Sequence, residues 1–350
     1  MLGSGDGRTM NFASDNHYGA SGEILSALAA IGTASDAAYG DDAITARVRT
    51  KLCDIFEREV AVYPVINGTT ANSLSLATLV PPHGAILCHA EAHIAVDECG
   101  APEFFTHGAK LLPIEGDDGK ITPQSIEQLL KSFRPGVHQV QPTAISLTQA
   151  TELGTSYAVA ELKAISGIAR RHGLKVHMDG ARFANALVGL GCTPAQMTWK
   201  SGVDVLSFGA TKNGALAAEA VVFFDPKDAR DFEYRRKKSG HLLSKMRFIS
   251  AQLEAYLAND HWLANARHAN GLAQRLAQGL AQAGAIEIAH PVSANAVFAS
   301  MSSAKAEKLR AAGAKFYDWG APKDGRVLAR LMLSFATPDE AVAKLIEAAK

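Results

Sequence analysis

The sequence predicts an α/β protein: a larger unit around a mostly parallel central sheet, followed by a smaller α+β unit. Three observations predict it. Short apolar, β-branched runs alternate with helical patterns through the first two thirds of the chain, and strand–helix–strand alternation builds parallel sheets with helices on both faces. Apolar residues make up 47% of the 350 residues, enough for a full core and, at roughly 150 residues per domain, for one large or two ordinary domains. From about Asp228 the pattern changes to long helical stretches rich in Ala, Leu and Gln, with only short strand candidates.

The elements follow in order. Residues 1–10 open MLGSGDGR, Gly-rich and without an apolar h-region, which reads as a flexible tail and not as a signal peptide. Six runs read as buried strands: VAVYPVI (60–66), AILCH (85–89), HQVQPTAISLT (138–148), LKVHMD (174–179), VDVLSFG (203–209) and AVVFFD (220–225). Helical spacing covers Thr69–Leu79, Pro123–Phe133, Val159–Arg171 and Ala181–Leu190. A boundary near residue 230 divides a large domain, 11–230, from a small one, 231–350. The small domain carries a helix at Ala266–Ala283, strand candidates at Ile286–Ile288, Ala296–Ser300 and Arg326–Phe335, and a last helix at Asp339–Ala349.

Composition excludes several classes. The 35 basic and 35 acidic residues cancel, leaving no basic field to attract nucleic acid or an anionic membrane. No apolar run approaches the ~18 residues a membrane span needs. The cysteines, Cys53, Cys88, Cys99 and Cys192, are dispersed without a C-x-x-C, so reduced thiols in a cytoplasmic protein are the simplest reading.

Familiar signatures fail on inspection. His89 and His93 stand at i, i+4, but Glu91 is one place too late for a zinc protease, and no P-C-x-x-C follows for a zinc deaminase. No metal site is expected. Gly189-Leu190-Gly191 lacks a third glycine in register, and neither a phosphate-binding G-x-x-x-x-G-K-[ST] nor a G-x-S-x-G is present.

Other motifs hold together. Asp179 ends an apolar strand and is followed by Gly180 and a helix. A carboxylate at the carboxyl end of a parallel strand sits where open α/β sheets bind ligands, although alone it would equally serve as a helix cap. Lys212 follows the next strand in a loop of small residues, Gly209, Ala210 and Gly214. A partly desolvated lysine is a natural Schiff-base former; the plain alternative is a solvated turn lysine. Together the two fit pyridoxal phosphate, the lysine holding the aldehyde and the aspartate keeping the pyridine nitrogen protonated. An opposite charge at that range moves a pKa by roughly 1–3 units. NGTTAN (67–72) opens a helix after a strand, and the N–H groups near Gly68 and Thr69 form a ready phosphate seat; capping by Asn67 is compatible with that. His93, after the strand AILCH, is placed to stack on a ring, though a lone histidine there is more often a structural polar residue.

These stretches, with SDN (14–16), AYGDD (38–42) and HMDGARFANA (177–186), carry a resemblance to the threonine aldolases of the fold-type I pyridoxal-phosphate enzymes, from about Asn11 to Lys350. The resemblance implies a fold-type I transferase-like architecture and a homotetramer, a dimer of dimers with sites at the dimer interface. It implies Lys212, His93, Asp179 and Arg182 as catalytic residues, with Gly68 and Thr69 on the cofactor phosphate. Arg182 would meet the cofactor's phenolic oxygen or the substrate carboxylate, and Ser14, Tyr39 and Arg330 the substrate. Lys237 and Arg247, in the basic stretch 235–247, would reach a neighbouring subunit's phosphate; a solvated helix face is the alternative reading of that stretch. Thr151 stands where many relatives carry a histidine associated with the substrate's β-hydroxyl, leaving His93, a water or Thr151 as the base. The implied reaction is retro-aldol cleavage of an L-β-hydroxy-α-amino acid to glycine and an aldehyde. A β-eliminating lyase or aminotransferase on the same cofactor is the alternative reaction, and a non-catalytic protein that keeps the fold is the alternative class.

Overall fold

The computed structural model describes residues 10–350. The expected N-terminal tail lies outside the described residues as far as residue 9, and Met10 begins the first strand. The strands are β1 Met10–Asn11, β2 Ala61–Val65, β3 Gly84–His89, β4 Lys110–Ile114, β5 Gln141–Thr148, β6 Lys175–Gly180, β7 Val205–Gly209 and β8 Glu219–Phe223. They continue with β9 Glu287–Ile288, β10 Ala296–Ser302, β11 Ala314–Lys315, β12 Tyr317–Asp318 and β13 Arg326–Met332.

Seven of these form one sheet in the order β2-β8-β7-β6-β5-β3-β4. The pairings from β7 through β4 are parallel, and β8 runs antiparallel to both its neighbours. Alternate residues enter different cores: Val205, Val221 and Phe223 pack with Leu74 and Phe232, while Leu206, Phe208 and Val222 pack on the opposite face with Val48, Leu162 and Leu253. Both faces are therefore covered by helices, which is why the strands read as near-continuous apolar runs. β4 escapes the sequence reading because KLLPI carries Pro113 and lies half exposed at the sheet edge, the position where a strand proline is tolerated.

The second sheet, β12-β13-β10-β9, is antiparallel. Its core includes Val297, Leu331, Leu276 and Leu345, together with Met10 and Phe12 from the start of the chain. β1 pairs in parallel with β11. The change from one core to the other falls inside the helix His261–Gln282: Trp262 and Ala266 belong to the large core, Leu272 and Leu276 to the small one.

This topology brings several chain segments to one edge. The carboxyl ends of β2, β3, β5, β6 and β7 and the start of the reversed β8 all face the same side. Open α/β sheets bind ligands there, where the strand order changes direction.

Candidate active site

At that edge lies a cleft of about 210 Å³. Its lining includes Asn67, Gly68 and Thr69 after β2, His93 and Glu98 after β3, Asp179 at the end of β6, Lys212 after β7 and Glu219 at the start of β8. Residues from these five segments, from Asn67 to Glu219, converge because the strands that carry them belong to one sheet.

Asp179 is 3% exposed. One carboxylate oxygen accepts the N–H of Ala181 at 2.9 Å and the other accepts the Asn72 amide at 2.8 Å. The same Asn72 nitrogen donates to Glu98 at 2.8 Å. Glu98 in turn is bonded to His93 Nδ1 at 2.8 Å. A chain of hydrogen bonds thus runs from Asp179 through Asn72 and Glu98 to His93. The bond to Glu98 raises the pKa of His93 above the ordinary imidazole value, while burial pushes the Glu98 carboxyl up as well. Beneath Asp179, fully buried His177 bridges Ser146 of β5 at 2.8 Å and Ser207 of β7 at 3.0 Å. Burial lowers its pKa to about 4, against the opposing charge of Asp179. It is a neutral imidazole that ties three strands together below the carboxylate.

The Lys212 loop is pinned from outside. Asn213 donates to Tyr256 Oη and to the carbonyl of Trp262, each at 2.8 Å. Asn265 holds the carbonyl of Asn213 at 2.9 Å. Gly214 turns the chain at φ +121°, and a Cβ there would stand 2.8 Å from Asn265, so only glycine fits. Gly209 lets β7 approach Ala181: a Cβ would stand 2.6 Å from that residue's carbonyl oxygen.

The helix Gly68–Leu79 points its N-terminus at the cleft. Asn67 caps it by accepting the N–H of Thr70 at 2.8 Å. The N–H groups of Gly68 and Thr69 come earlier and have no intrahelical partner. A Cβ at Gly68 would meet nothing within 4 Å, so the space in front of these donors is open. His241 bonds Thr70 Oγ1 at 2.8 Å beside them.

Arg182 forms a two-pronged bond to buried Asp15, Nε at 2.7 Å and one terminal nitrogen at 2.9 Å. Asn295 braces Asp15 at 3.1 Å. Burial works to raise the Asp15 carboxyl, but the guanidinium prevails and holds it below the usual range. Arg330 lies close enough that burial first, and Arg182 second, weaken its hold on its proton. Its Nε is buried without a partner, and a terminal nitrogen donates to the Ala13 carbonyl at 3.4 Å. Asp15 and Glu152 both act on the two arginines, and the unpartnered Arg330 Nε is the donor left for a carboxylate ligand. Ser14 is buried next to them, its hydroxyl capping Asn16 N–H at 3.1 Å.

Of the residues expected from sequence, Gly68, Thr69, His93, Asp179 and Lys212 line one cleft. Arg182, Ser14 and Arg330 form a second group joined through Asp15 and the 13–14 backbone. Tyr39, Lys237 and Arg247 are not in the lining: Lys237 stands 5.0 Å over the Tyr39 ring, and Arg247 donates to the carbonyl of Ala34 at 3.2 Å. In the same basic stretch Arg236 is buried against Tyr63. Thr151 is turned away, bonded to Thr155 at 2.8 Å and to the Asp118 carbonyl at 3.3 Å. His89 is engaged on both ring nitrogens, with the Gly116 carbonyl at 2.9 Å and the Glu91 N–H at 3.0 Å.

Sequence reasoning missed Asp15, Asn72, Glu98, Glu152 and Glu219 as site residues. Asp15 and Asn72 were inside quoted motifs without a role. Glu219 had a signal: it is the single charge heading the apolar strand EAVVF.

The site suits pyridoxal phosphate on the donor set alone. It offers a buried carboxylate for a ring nitrogen, an amine 33 positions further on the adjacent strand's loop, an imidazole for the ring face and free N–H groups with open space for a phosphate. The described residues contain no metal-binding cluster, and no helix among them is long and apolar enough to cross a membrane.

Comparison with known proteins agrees with this chemistry. The model of the β-eliminating lyase family matches residues 11–304. A low specificity L-threonine aldolase of Pseudomonas sp. is 44% identical over 338 residues, 97% of this chain and 96% of that protein. A second low specificity L-threonine aldolase, from Pseudomonas aeruginosa, is 45% identical over 96% of each chain. A solved threonine aldolase from Leishmania major superimposes with a TM-score of 0.92 at 28% identity, covering 97% of this chain and 98% of that one.

Proposed function

Because the chain belongs to the β-eliminating lyase family, and within it to the low-specificity L-threonine aldolases, we propose that it cleaves L-threonine and related L-β-hydroxy-α-amino acids to glycine and an aldehyde. The observation that carries this reading is the meeting of Asp179, Lys212, His93 and the Gly68–Thr69 helix start around one cleft. Bound there, pyridoxal phosphate supplies an electron sink for the pair left on the substrate's α-carbon when the Cα–Cβ bond breaks.

The chain's own groups do the rest. Lys212 would be the amine that holds the cofactor. Asp179, braced by Asn72 and the Ala181 N–H, keeps a proton on the ring nitrogen by its charge. Gly68 and Thr69 bind the phosphate at the helix start. Arg182 is oriented by Asp15, and with Arg330 and Ser14 it would grip the substrate carboxylate and so fix the substrate's orientation in the cleft. His93 has its Nδ1 committed to Glu98, which leaves Nε2 to take the β-hydroxyl proton. The hydrogen bonds of Thr151 to Thr155 and the Asp118 carbonyl favour His93 over Thr151 in that role.

L-phenylserine-like side chains belong to the same substrate class. Tyr39, Lys237 and Arg247 lie outside their own chain's cleft. We further propose a cytoplasmic homotetramer, and a role for these three residues at a neighbouring subunit's site fits their placement outside their own chain's cleft.

The test is product analysis with L-threonine. Equal amounts of acetaldehyde and glycine are expected. Ammonia with a keto acid would move the reaction to β-elimination, and amino-group exchange without cleavage would move it to transamination.

A further inference from the structure

We propose that Glu219 is a positioning residue for Lys212: its buried carboxyl clamps the loop that carries the lysine and balances the lysine's charge. The proposal rests on the reading of Lys212 as the cofactor's anchor.

Glu219 pairs in register with Gly209 of β7 on one side and Val65 of β2 on the other. It therefore stands at the sheet edge between the phosphate seat and the lysine loop. Its carboxylate accepts the N–H of Ala210 at 3.2 Å and of Thr211 at 3.4 Å, the two residues preceding Lys212. It is 6% exposed and lines the same cleft as Lys212. Burying a carboxylate is costly unless charge and hydrogen bonds offset it, and two long bonds to neutral N–H groups offset little. Burial pushes its carboxyl up to about 7, with Thr211 and Lys212 pulling the other way. The other ionisable groups facing it are His93, Glu98, Glu152 and Asp179 across the cleft and Tyr256 on the helix Arg247–Leu257. Lys212 is the one lysine in the cleft's lining, so it is the partner for Glu219's charge. The two N–H groups go to different carboxylate oxygens, so a carboxylate serves both the clamp and the charge, where glutamine offers one acceptor and no charge.

The experiment uses the full-length chain and Glu219→Gln, whose amide oxygen keeps one of the two N–H bonds while the charge is gone. Before cofactor is added, the protein is treated with acetic anhydride at pH 8, and acetylation at Lys212 is followed by peptide mass spectrometry. Loss of a neighbouring anion frees the amine of its proton more readily. Lys212 is therefore expected to react about tenfold faster in Glu219→Gln than in the unaltered chain. Glu219→Asp, which keeps the charge, is expected to retain the slow rate. Equal rates in the unaltered chain and a folded Glu219→Gln would overturn the proposal. If that variant does not fold, the pH profile of Lys212 acetylation in the unaltered chain decides: a second inflection near pH 7 supports it, and a single one overturns it. None of these readouts needs threonine cleavage, so failure here leaves the proposed reaction standing, and failure of that reaction leaves these rates interpretable.

Discussion

His177 is held neutral by burial, two residues below Asp179 on the same strand, and this makes acid stability depend on it. Its folded pKa of about 4 lies below the unfolded 6.5. The stability it contributes is therefore complete above pH 6.5 and is lost as pH falls toward 4. At about 1.4 kcal/mol per pH unit, the loss by pH 5 comes to about 2 kcal/mol. Urea denaturation at pH 7 and pH 5 of the unaltered chain and of His177→Gln isolates it, since Glu219 is common to both. The unaltered chain is expected to lose about 2 kcal/mol more than the variant, and equal losses would contradict the assignment. At this scale the sequence was legible where the chemistry is local. Asp179 and Lys212 announce themselves by a strand end and a small-residue loop. Asp15 did not, because its partners Arg182 and Asn295 are 167 and 280 positions away, and no local pattern records such a pairing.

Two glycines separate what an element needs from what a ligand needs. Gly209 terminates β7 against the backbone of Ala181, and a methyl group there would stand 2.6 Å from a carbonyl oxygen. Gly209→Ala is expected to cost about 1–3 kcal/mol, read as a lowered denaturation midpoint. Gly68 opens its helix with nothing within 4 Å of the missing Cβ. Gly68→Ala is expected to leave the midpoint within about 1 kcal/mol while raising the Kd for pyridoxal phosphate, measured by fluorescence titration. An unchanged Kd would remove the phosphate from this seat. The strands of the seven-stranded sheet other than β4, and the helices Val159–Arg171 and Asp339–Ala349, were readable in the sequence because both periodicities are strong there, whereas the two-residue strands β1, β11 and β12 are too short to show a period. β4 was not, since Pro113 breaks the pattern and an edge position excuses it. The sharing of Asn72 between Asp179 and Glu98 was hidden for a different reason: it depends on which strands become neighbours.

For the whole molecule, the two cores are joined through the start of the chain as well as through the helix His261–Gln282. Phe12 is fully buried in the small domain's core, and its carbonyl accepts the N–H of Met332 at 2.8 Å. Three residues later Asp15 orients Arg182. Phe12→Ala is expected to cost about 3–5 kcal/mol and, in protein that remains folded, to raise KM for threonine more than it lowers kcat. A loss of stability with KM unchanged would show that the small domain does not position the substrate's carboxylate group. The sequence reading placed the domain boundary near residue 230, while the cores change over near 270, because the amphipathic pattern of a helix that serves two cores does not reveal where it passes from one to the other.

Lys212 as the anchor of pyridoxal phosphate, in a cleft suited to threonine cleavage, is what the rest depends on. The direct measurement is the visible absorbance of the purified protein with pyridoxal phosphate, followed by L-threonine in the same cuvette and an assay for acetaldehyde and glycine, repeated with Lys212→Ala. The account predicts a cofactor band with wild-type cleavage, and loss of both the covalent band and the cleavage in the variant. A covalent band that survives Lys212→Ala, or no band in the unaltered chain after reconstitution, would contradict it.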